Sequence, residues 1–244
     1  MKVCIIIPVY NHEHAIPVVL ARLKYFCIPT ILVNDGSSDV CSQTLADCVE
    51  PESSWLTLIT RSENGGKGAA MLDGFTSAYA LGFSHALQID ADGQHDINDI
   101  PVFLETARQQ PEAMILGQPI FDASVPKGRL YGRRFTNLWI VINTLSSSMA
   151  DGMCGFRVYP LAAVEQLTAT TQIARRMDFD IDILVRLYWQ GLKMINIPTA
   201  VHYPMDGVSH FKLWQDNVRI SKTHAQLFFG MLTRIPQLLK RHGS

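Results

Sequence analysis

The sequence predicts a single α/β domain in which a mainly parallel central sheet carries helices on both faces. Three observations lead there. The chain has 244 residues, a length that one such domain fills and two would strain. Short apolar runs rich in β-branched residues alternate with helical patterns, the mark of βαβ units. Polar and acidic clusters stand where the apolar runs end, as they do when loops converge on a crevice outside the carboxyl edge of a parallel sheet.

Residues 3–9, 30–34, 56–60, 86–90 and 113–117 read as strands, each a short apolar run. Between them, residues 13–25, 39–49, 67–81 and 97–110 read as helices, with Ser38 or Asp39 and then Asp96 as candidate N-caps. The second half is less regular. A basic loop over 118–134 precedes an apolar helical segment over 135–149. A strand-like piece at 154–159, an acid-rich stretch at 177–182 leading into a helical segment at 183–190, and a strand at 194–201 follow. From residue 218 the pattern is helical and broken near Pro236. With no internal repeat and no low-complexity linker, residues 1–210 are expected to form the main domain and residues 211–244 a basic amphipathic helical segment packed on it.

Hydrophobic residues make up 48% of the chain and charged residues 18%, enough for a sizeable core and against disorder. A net charge of −1 gives no global basic field, which excludes nucleic acid as the expected partner. After Asp216 there is no acid, while Arg219, Lys222, Arg234, Lys240 and Arg241 remain. Five cysteines without a CxxC pair or zinc spacing fit a reduced, cytoplasmic chain. The first apolar run passes directly into Asn11-His12-Glu13, as a buried strand does and a signal peptide does not. No stretch approaches the ~20 apolar residues that cross a bilayer, so membrane association is expected to be peripheral, on the inner face of the plasma membrane.

Asp90-Ala91-Asp92 puts two carboxylates, with Gln94 two positions on, at a strand end. Such a set suits a hard cation, Mg²⁺ or Mn²⁺, that bridges carboxylates to diphosphate oxygens. A plain turn at Asp92-Gly93 followed by an Asp96 cap explains the same residues. Asp35-Gly36-Ser37-Ser38-Asp39 sets an acid that can accept from a nucleobase N–H beside a glycine that permits close approach, while the following residues cap a helix.

Together these segments carry more than each alone. Ile5-Ile6-Ile7-Pro8-Val9-Tyr10-Asn11, Val33-Asn34-Asp35-Gly36-Ser37-Ser38-Asp39, Asn64-Gly65-Gly66-Lys67-Gly68-Ala69-Ala70 and Asp90-Ala91-Asp92-Gly93-Gln94 occur in that order and in strand context. They closely resemble the family 2 glycosyltransferases, and within them the dolichyl-phosphate mannose synthase branch, from residue 3 to about residue 210. The resemblance implies a GT-A fold and an inverting transfer from a UDP- or GDP-sugar with Mg²⁺ or Mn²⁺. Carried over by position, Pro8 and Tyr10 line the nucleobase pocket, Asp35 binds the base and Lys67-Gly68 borders the nucleotide. Asp90 contacts the sugar-nucleotide and the metal, and Asp92 and Gln94 ligate the metal. The family usually has Glu where His12 stands, which puts that base or ribose contact in doubt.

Arg133, Arg134 and Asn137, with Asp151-Gly152-Met153-Cys154-Gly155-Phe156-Arg157-Val158-Tyr159, resemble the branch's acceptor-side arginines and its Gly-Phe-Arg strand. Arg134 and Arg157 are the preferred pair for a phosphate, against a solvated basic loop as the plain alternative. In Asp206-Gly207-Val208-Ser209-His210, His210 replaces a lysine common in the family, losing a fixed charge unless it is protonated. A hydroxyl acceptor needs a general base, whereas a phosphate, already ionised, does not. Asp180 and Asp178 are the candidate bases, with helix capping as their plain role.

The acceptor is expected to be lipid-linked or a phosphate. Leu227, Phe228, Met231, Leu232, Ile235, Leu238 and Leu239, with the tail's cations beside them, suggest a peripheral membrane face, as do Phe135, Leu138, Trp139, Ile142 and Leu145. Core packing is the alternative for both segments. Two other functions compete. A nucleotidyltransferase making sugar nucleotides lacks its Gly-rich loop here, since Pro8-Val9-Tyr10-Asn11 follows the first strand. A non-catalytic nucleotide-sugar binder has no need of Asp90, Asp92 and Gln94 together.

Overall fold

The computed structural model describes residues 1–121, 125, 127–201 and 211–241. Its elements run β1 Val3–Val9, α1 Ile16–Leu23, β2 Thr30–Asn34, α2 Asp39–Val49, β3 Leu56–Thr60, α3 Lys67–Ala80, β4 His85–Gln88, α4 Ile100–Gln109, β5 Met114–Phe121 and α5 Lys127–Thr144. Then come β6 Arg157–Pro160, α6 Leu161–Thr170, α7 Phe179–Trp189, β7 Met194–Val201, α8 Leu213–Leu232 and α9 Ile235–Lys240.

The seven strands form one sheet in the order β3-β2-β1-β4-β6-β5-β7. β6 pairs antiparallel with both β4 and β5, and the remaining pairs are parallel. The chain therefore has the α/β architecture that its alternating pattern predicts. Successive residues of a strand point to opposite faces, and β1 shows the result. Cys4 and Ile6 enter a core beneath α3, α6 and α7, while Ile5, Ile7 and Val9 enter a second core beneath α1, α2 and α4. Burial on both faces explains why these strands are continuously apolar.

Ser38 caps α2, its side chain accepting from Cys41 N at 3.3 Å, and Asp39 is the first helical residue. Asp96 accepts from Asn98 N at 3.0 Å ahead of α4. Two expectations are corrected. The segment expected as a basic loop to residue 134 is largely helix, because α5 begins at Lys127. Gly128 and Gly132 weaken that helix by about 1 kcal/mol each, but its packing on α7 and α8 prevails. The strand expected from residue 154 begins at Arg157, since the preceding residues turn around Asp151, whose Oδ1 accepts from Met153 N at 2.9 Å and Cys154 N at 2.7 Å. The helical run is interrupted near Pro236 as expected: α8 ends at Leu232 and α9 starts at Ile235 with Pro236 in its first turn, where its missing N–H costs nothing.

The tail packs on the rest of the chain, in keeping with the core-packing reading, and leaves part of its apolar surface exposed. Leu227, Met231 and Leu238 are buried in the core, and α8 packs on α5 and α7. Arg234 stacks on Trp189 at 4.6 Å and Arg241 on Tyr188 at 4.2 Å. Leu213, Trp214, Val218, Phe229, Leu232 and Leu239 of the tail stay exposed, and on α5 Tyr131, Phe135 and Leu138, at i, i+4 and i+7, form a further exposed stripe. Among the described residues no helix is long and apolar enough to cross a membrane.

Candidate active site

Four parallel strands end side by side, so the loops after β1, β2, β3 and β4 emerge on one edge. Asn11, at φ +51°, adopts the left-handed turn that asparagine tolerates. From there it ties the first loop to the second: its N–H donates to Ser37 Oγ at 3.1 Å and its Oδ1 accepts from Ser38 N at 2.8 Å. Gly36, at φ +62°, lets the second loop press on the third, where an added Cβ would meet Asn64 N at 2.5 Å.

Asp35 holds that third loop. Its Oδ1 accepts from Gly65 N at 2.9 Å, and its Oδ2 from Gly66 N at 2.7 Å and Asn64 Nδ2 at 3.0 Å. Arg61 Nε lies 2.9 Å from Oδ1. Burial pushes the Asp35 carboxyl up, and the two glycine N–H groups with Arg61 offset this only in part. A carboxylate offers about four lone-pair positions. Three are taken by the third loop, and Asp35 also lines the cavity described below.

Asp90 and Asp92 follow β4. The Asp92 carboxylate closes its own turn, accepting from Gln94 N at 3.1 Å. Asp90 lies against the backbone of Gly155, which arrives at the same edge because β6 is reversed. Lys67, the first residue of α3, places its ammonium 2.8 Å from Asp90 Oδ1 and 2.8 Å from Asp180 Oδ2. Burial would lower the lysine's pKa, but Asp180 and Asp90 outweigh it and hold it well above the usual range. Burial would likewise raise Asp90, yet Lys67 and then His95, whose Nε2 is 3.5 Å from Oδ2, hold it well below.

Beneath this pair lies a buried polar network. Gln88 Nε2 donates to Asp180 Oδ1 at 3.2 Å, and Gln88 Oε1 accepts from Tyr159 Oη at 2.8 Å. Arg157 faces Gln88 across β4 and β6, completely buried, with Nη1 on Asp180 O at 2.7 Å and Nη2 on Gly152 O at 2.8 Å.

A cavity of about 460 Å³ opens at this edge. Pro8, Tyr10, Asp35, Lys67, Asp90, Asp92 and Gln94 all line it, as does His12. Five other candidates do not. Gly68 is a packing glycine, with room for a Cβ denied by Ala174 O at 2.5 Å and Phe179 Cβ at 2.6 Å. Asp178 turns away and accepts from Thr223 Oγ1 at 2.7 Å. Asp180 is 5% exposed and meets the cavity only through Lys67. Arg157, interior and committed to two carbonyls, has no reach to an acceptor phosphate. Arg134 is exposed on α5, while its neighbour Arg133 is ion-paired to Asp151. His210 lies outside the described residues.

The far wall was not foreseen. Arg176, Phe211, Lys212, Gln215, Asp216 and Arg219 come from the approach to α7 and the start of α8. Arg176 donates to Asn64 Oδ1 at 3.0 Å, and Asp216 accepts from Lys212 N and Arg219 Nη1, each at 2.8 Å. The signal available in the sequence was the basic Arg175-Arg176 pair just before the acid-rich stretch. The buried Gln88 announces itself as the polar residue of an apolar strand.

A family model described as "Glycosyl transferase family 2" matches residues 4–166. The chain belongs to this family. Among family relatives, it is 24% identical over 223 residues to a polyprenol monophosphomannose synthase of Mycolicibacterium smegmatis, covering 89% of this chain and 83% of that protein. It is 24% identical to an undecaprenyl-phosphate mannosyltransferase of Micrococcus luteus, covering 81% of this chain and 82% of that protein. To an undecaprenyl-phosphate 4-deoxy-4-formamido-L-arabinose transferase of Pseudomonas aeruginosa it is 29% identical, covering 68% of this chain but only 49% of the longer relative. These names place this family 2 glycosyltransferase in the dolichyl-phosphate mannose synthase-like branch. Its fold is that of solved GT-A enzymes. Glucosyl-3-phosphoglycerate synthase from Mycobacterium tuberculosis, in complex with Mn²⁺, UDP and phosphoglyceric acid, superposes with a TM-score of 0.68 at 13% identity over 94% of this chain and 78% of that one.

Proposed function

We propose that this glycosyltransferase moves a sugar, with inversion, from a UDP- or GDP-sugar to a polyprenyl phosphate or related lipid-linked phosphate, aided by Mg²⁺ or Mn²⁺. The observation that carries the reading is the convergence of Tyr10, Lys67, Asp90 and Asp92 on one cavity at the carboxyl edge of the sheet. The nucleobase would lie along Pro8 and Tyr10, on the floor that Asp35 steadies by gripping residues 64–66. Asp90, Asp92 and Gln94 offer hard oxygen donors that fit a divalent cation. Among the described residues no group of three His, Cys, Asp or Glu side chains forms a ready metal cage, so diphosphate oxygens and water would complete the shell. The cation would supply charge stabilisation to the leaving diphosphate.

The state of the acids supports an ionised acceptor. Asp35 grips residues 64–66, Asp90 and Asp180 share Lys67, and Asp216 is held by the Lys212 N–H and Arg219. A site whose buried carboxylates are so committed suits a nucleophile that needs no proton removed. Arg176, Lys212 and Arg219 offer cationic donors to its phosphate. The stripe of Tyr131, Phe135 and Leu138 would bring the enzyme to the membrane surface that carries such an acceptor. The decisive experiment is a transfer screen of UDP- and GDP-sugars with Mn²⁺, Mg²⁺ or chelator, against a polyprenyl phosphate and a soluble alcohol. Transfer to the phosphate that stops with chelator is expected. Metal-independent transfer, or use of the alcohol alone, would overturn the proposal.

A further inference from the structure

A lysine in the first turn of a helix opposes the positive end of the helix dipole. Lys67 opens α3, so something stronger must hold it there. The holders are the two carboxylates on either side: Asp90, with Oδ1 at 2.8 Å and Oδ2 at 3.1 Å, and Asp180, with Oδ2 at 2.8 Å. Gln88 Nε2 leans on the same pair, 3.2 Å from Asp180 Oδ1 and 3.5 Å from Asp90 Oδ1. Two carboxylates this close, one buried and one half-buried, repel each other unless a cation stands between them. Lys67 is that cation, and both Asp90 oxygens are turned toward it. A divalent ion needs the same oxygens.

We infer that Lys67 is the protein's own counter-cation for Asp90 and Asp180, and that it competes with the divalent cation for Asp90. The inference rests on Asp90 and Asp92 as the metal site, and goes beyond it by making metal loading conditional. In the free enzyme the ammonium holds Asp90, so the metal binds weakly by itself. The donor diphosphate brings further anionic oxygens to the cavity that Lys67 lines. The flexible lysine stem then lets the ammonium leave Asp90 for those oxygens as the metal takes its place. Asp180 is thereby a positioning residue, the second hold that keeps Lys67 in reach.

The test is Mn²⁺ binding by the full chain without nucleotide, read from the electron paramagnetic resonance signal of free Mn²⁺. The Lys67→Met variant keeps the stem and drops the charge, and it is expected to bind Mn²⁺ roughly tenfold more tightly than the parent, or better. Equal or weaker binding by the folded variant overturns the inference while leaving the metal site standing. Failure of the parent to bind Mn²⁺ even with UDP or GDP present removes the metal site, and the inference with it. A second measurement needs no folded Met variant. In the parent labelled with ¹⁵N-lysine, the Lys67 Nζ resonance, assigned by its loss in Lys67→Arg, is expected to shift when Mg²⁺ and UDP or GDP are added together. A resonance unmoved at saturating Mg²⁺ and nucleotide overturns the exchange.

Discussion

Replacing Gly155 by alanine pushes a methyl group against the Asp90 carboxylate without altering any charge. The added Cβ would lie 2.6 Å from Asp90 Oδ1 and 2.7 Å from its Cγ, and closer still to Oδ2. Backbone strain plays no part, because Gly155 does not sit in the left-handed region. To restore ordinary van der Waals contact the carboxylate must retreat by about 1 Å. That retreat disturbs the ion pair with Lys67, now 2.8 Å from Oδ1, and displaces the donor proposed for the metal. A misplacement of this size costs roughly 10²-fold in turnover. The assay is steady-state transfer with kcat and KM resolved, beside thermal melts of the same preparations. Gly152→Ala is the control, since its Cβ meets Ile140 Cδ1 and not the site. Overpacking there should cost about 1–3 kcal/mol of stability and spare the turnover of the folded fraction. A folded Gly155→Ala enzyme that turns over like its parent would refute the placement of Asp90 at the reacting centre.

Three further outcomes follow from the geometry. Asp92→Asn should abolish metal-dependent turnover with its melting temperature unchanged, because the side chain is half-buried and bonds only within its own turn among the described residues; retained metal-dependent transfer would refute the ligand role. Stability should fall on acidification through His224, which is buried against Trp139 and pushed down to about 4 by that burial. Between an unfolded value near 6.5 and about 4 the unfolded chain binds a proton that the native chain refuses, so roughly 2–3 kcal/mol is lost as pH falls through that window. Urea melts from pH 7 to 4 on the parent and on His224→Asn should diverge there, and parallel curves would contradict the assignment. Lastly, Phe135→Asp combined with Leu138→Asp should weaken sedimentation with anionic vesicles at least roughly tenfold, since each apolar side chain buried in lipid contributes ~1.5–3 kcal/mol. Unchanged sedimentation would remove α5 as the membrane face.

Four strands were legible as short apolar, β-branched runs, at the edges of the sheet as well as in its middle. Val3–Val9, Thr30–Asn34 and Leu56–Thr60 lie where the apolar runs put them, and so does Met194–Val201. Asp35, Asp90 and Asp92 were legible as cavity residues because each stands within a few positions of a strand end, where topology alone fixes its location. Arg176, Lys212 and Arg219 were not, since they reach the cavity only by the way α7 and α8 fold back over the sheet. Arg157 misled for a related reason. A lone charge between Phe156 and Val158 looks like a ligand, but the antiparallel register sets it opposite Gln88 and turns it inward. The start of α5 was hidden by two glycines and a cluster of cations, local signals that tertiary packing overrides. Leu161–Thr170 escaped notice because it begins directly after β6, with no loop to announce it.

α8 is a single helix of 20 residues, about 30 Å long. Its first turns supply Gln215, Asp216 and Arg219 to the cavity, while near its far end Gly230 fits so closely that an added Cβ would meet Trp189 Cη2 at 2.9 Å. The helix is anchored by its buried middle, Ile220, His224 and Leu227. A bulkier residue at 230 would lift one arm off α7 and tilt the other, moving Arg219 and Lys212 relative to Asp90. If Arg219 and Lys212 hold the acceptor as proposed, a substitution at 230, roughly 20 Å away, would alter acceptor preference without touching the cavity. That part of the chain lies beyond the span, residues 4–166, where the family pattern is recognisable. On the proposed reading, the packing of this one helix would then set the acceptor side independently of the donor-side motifs.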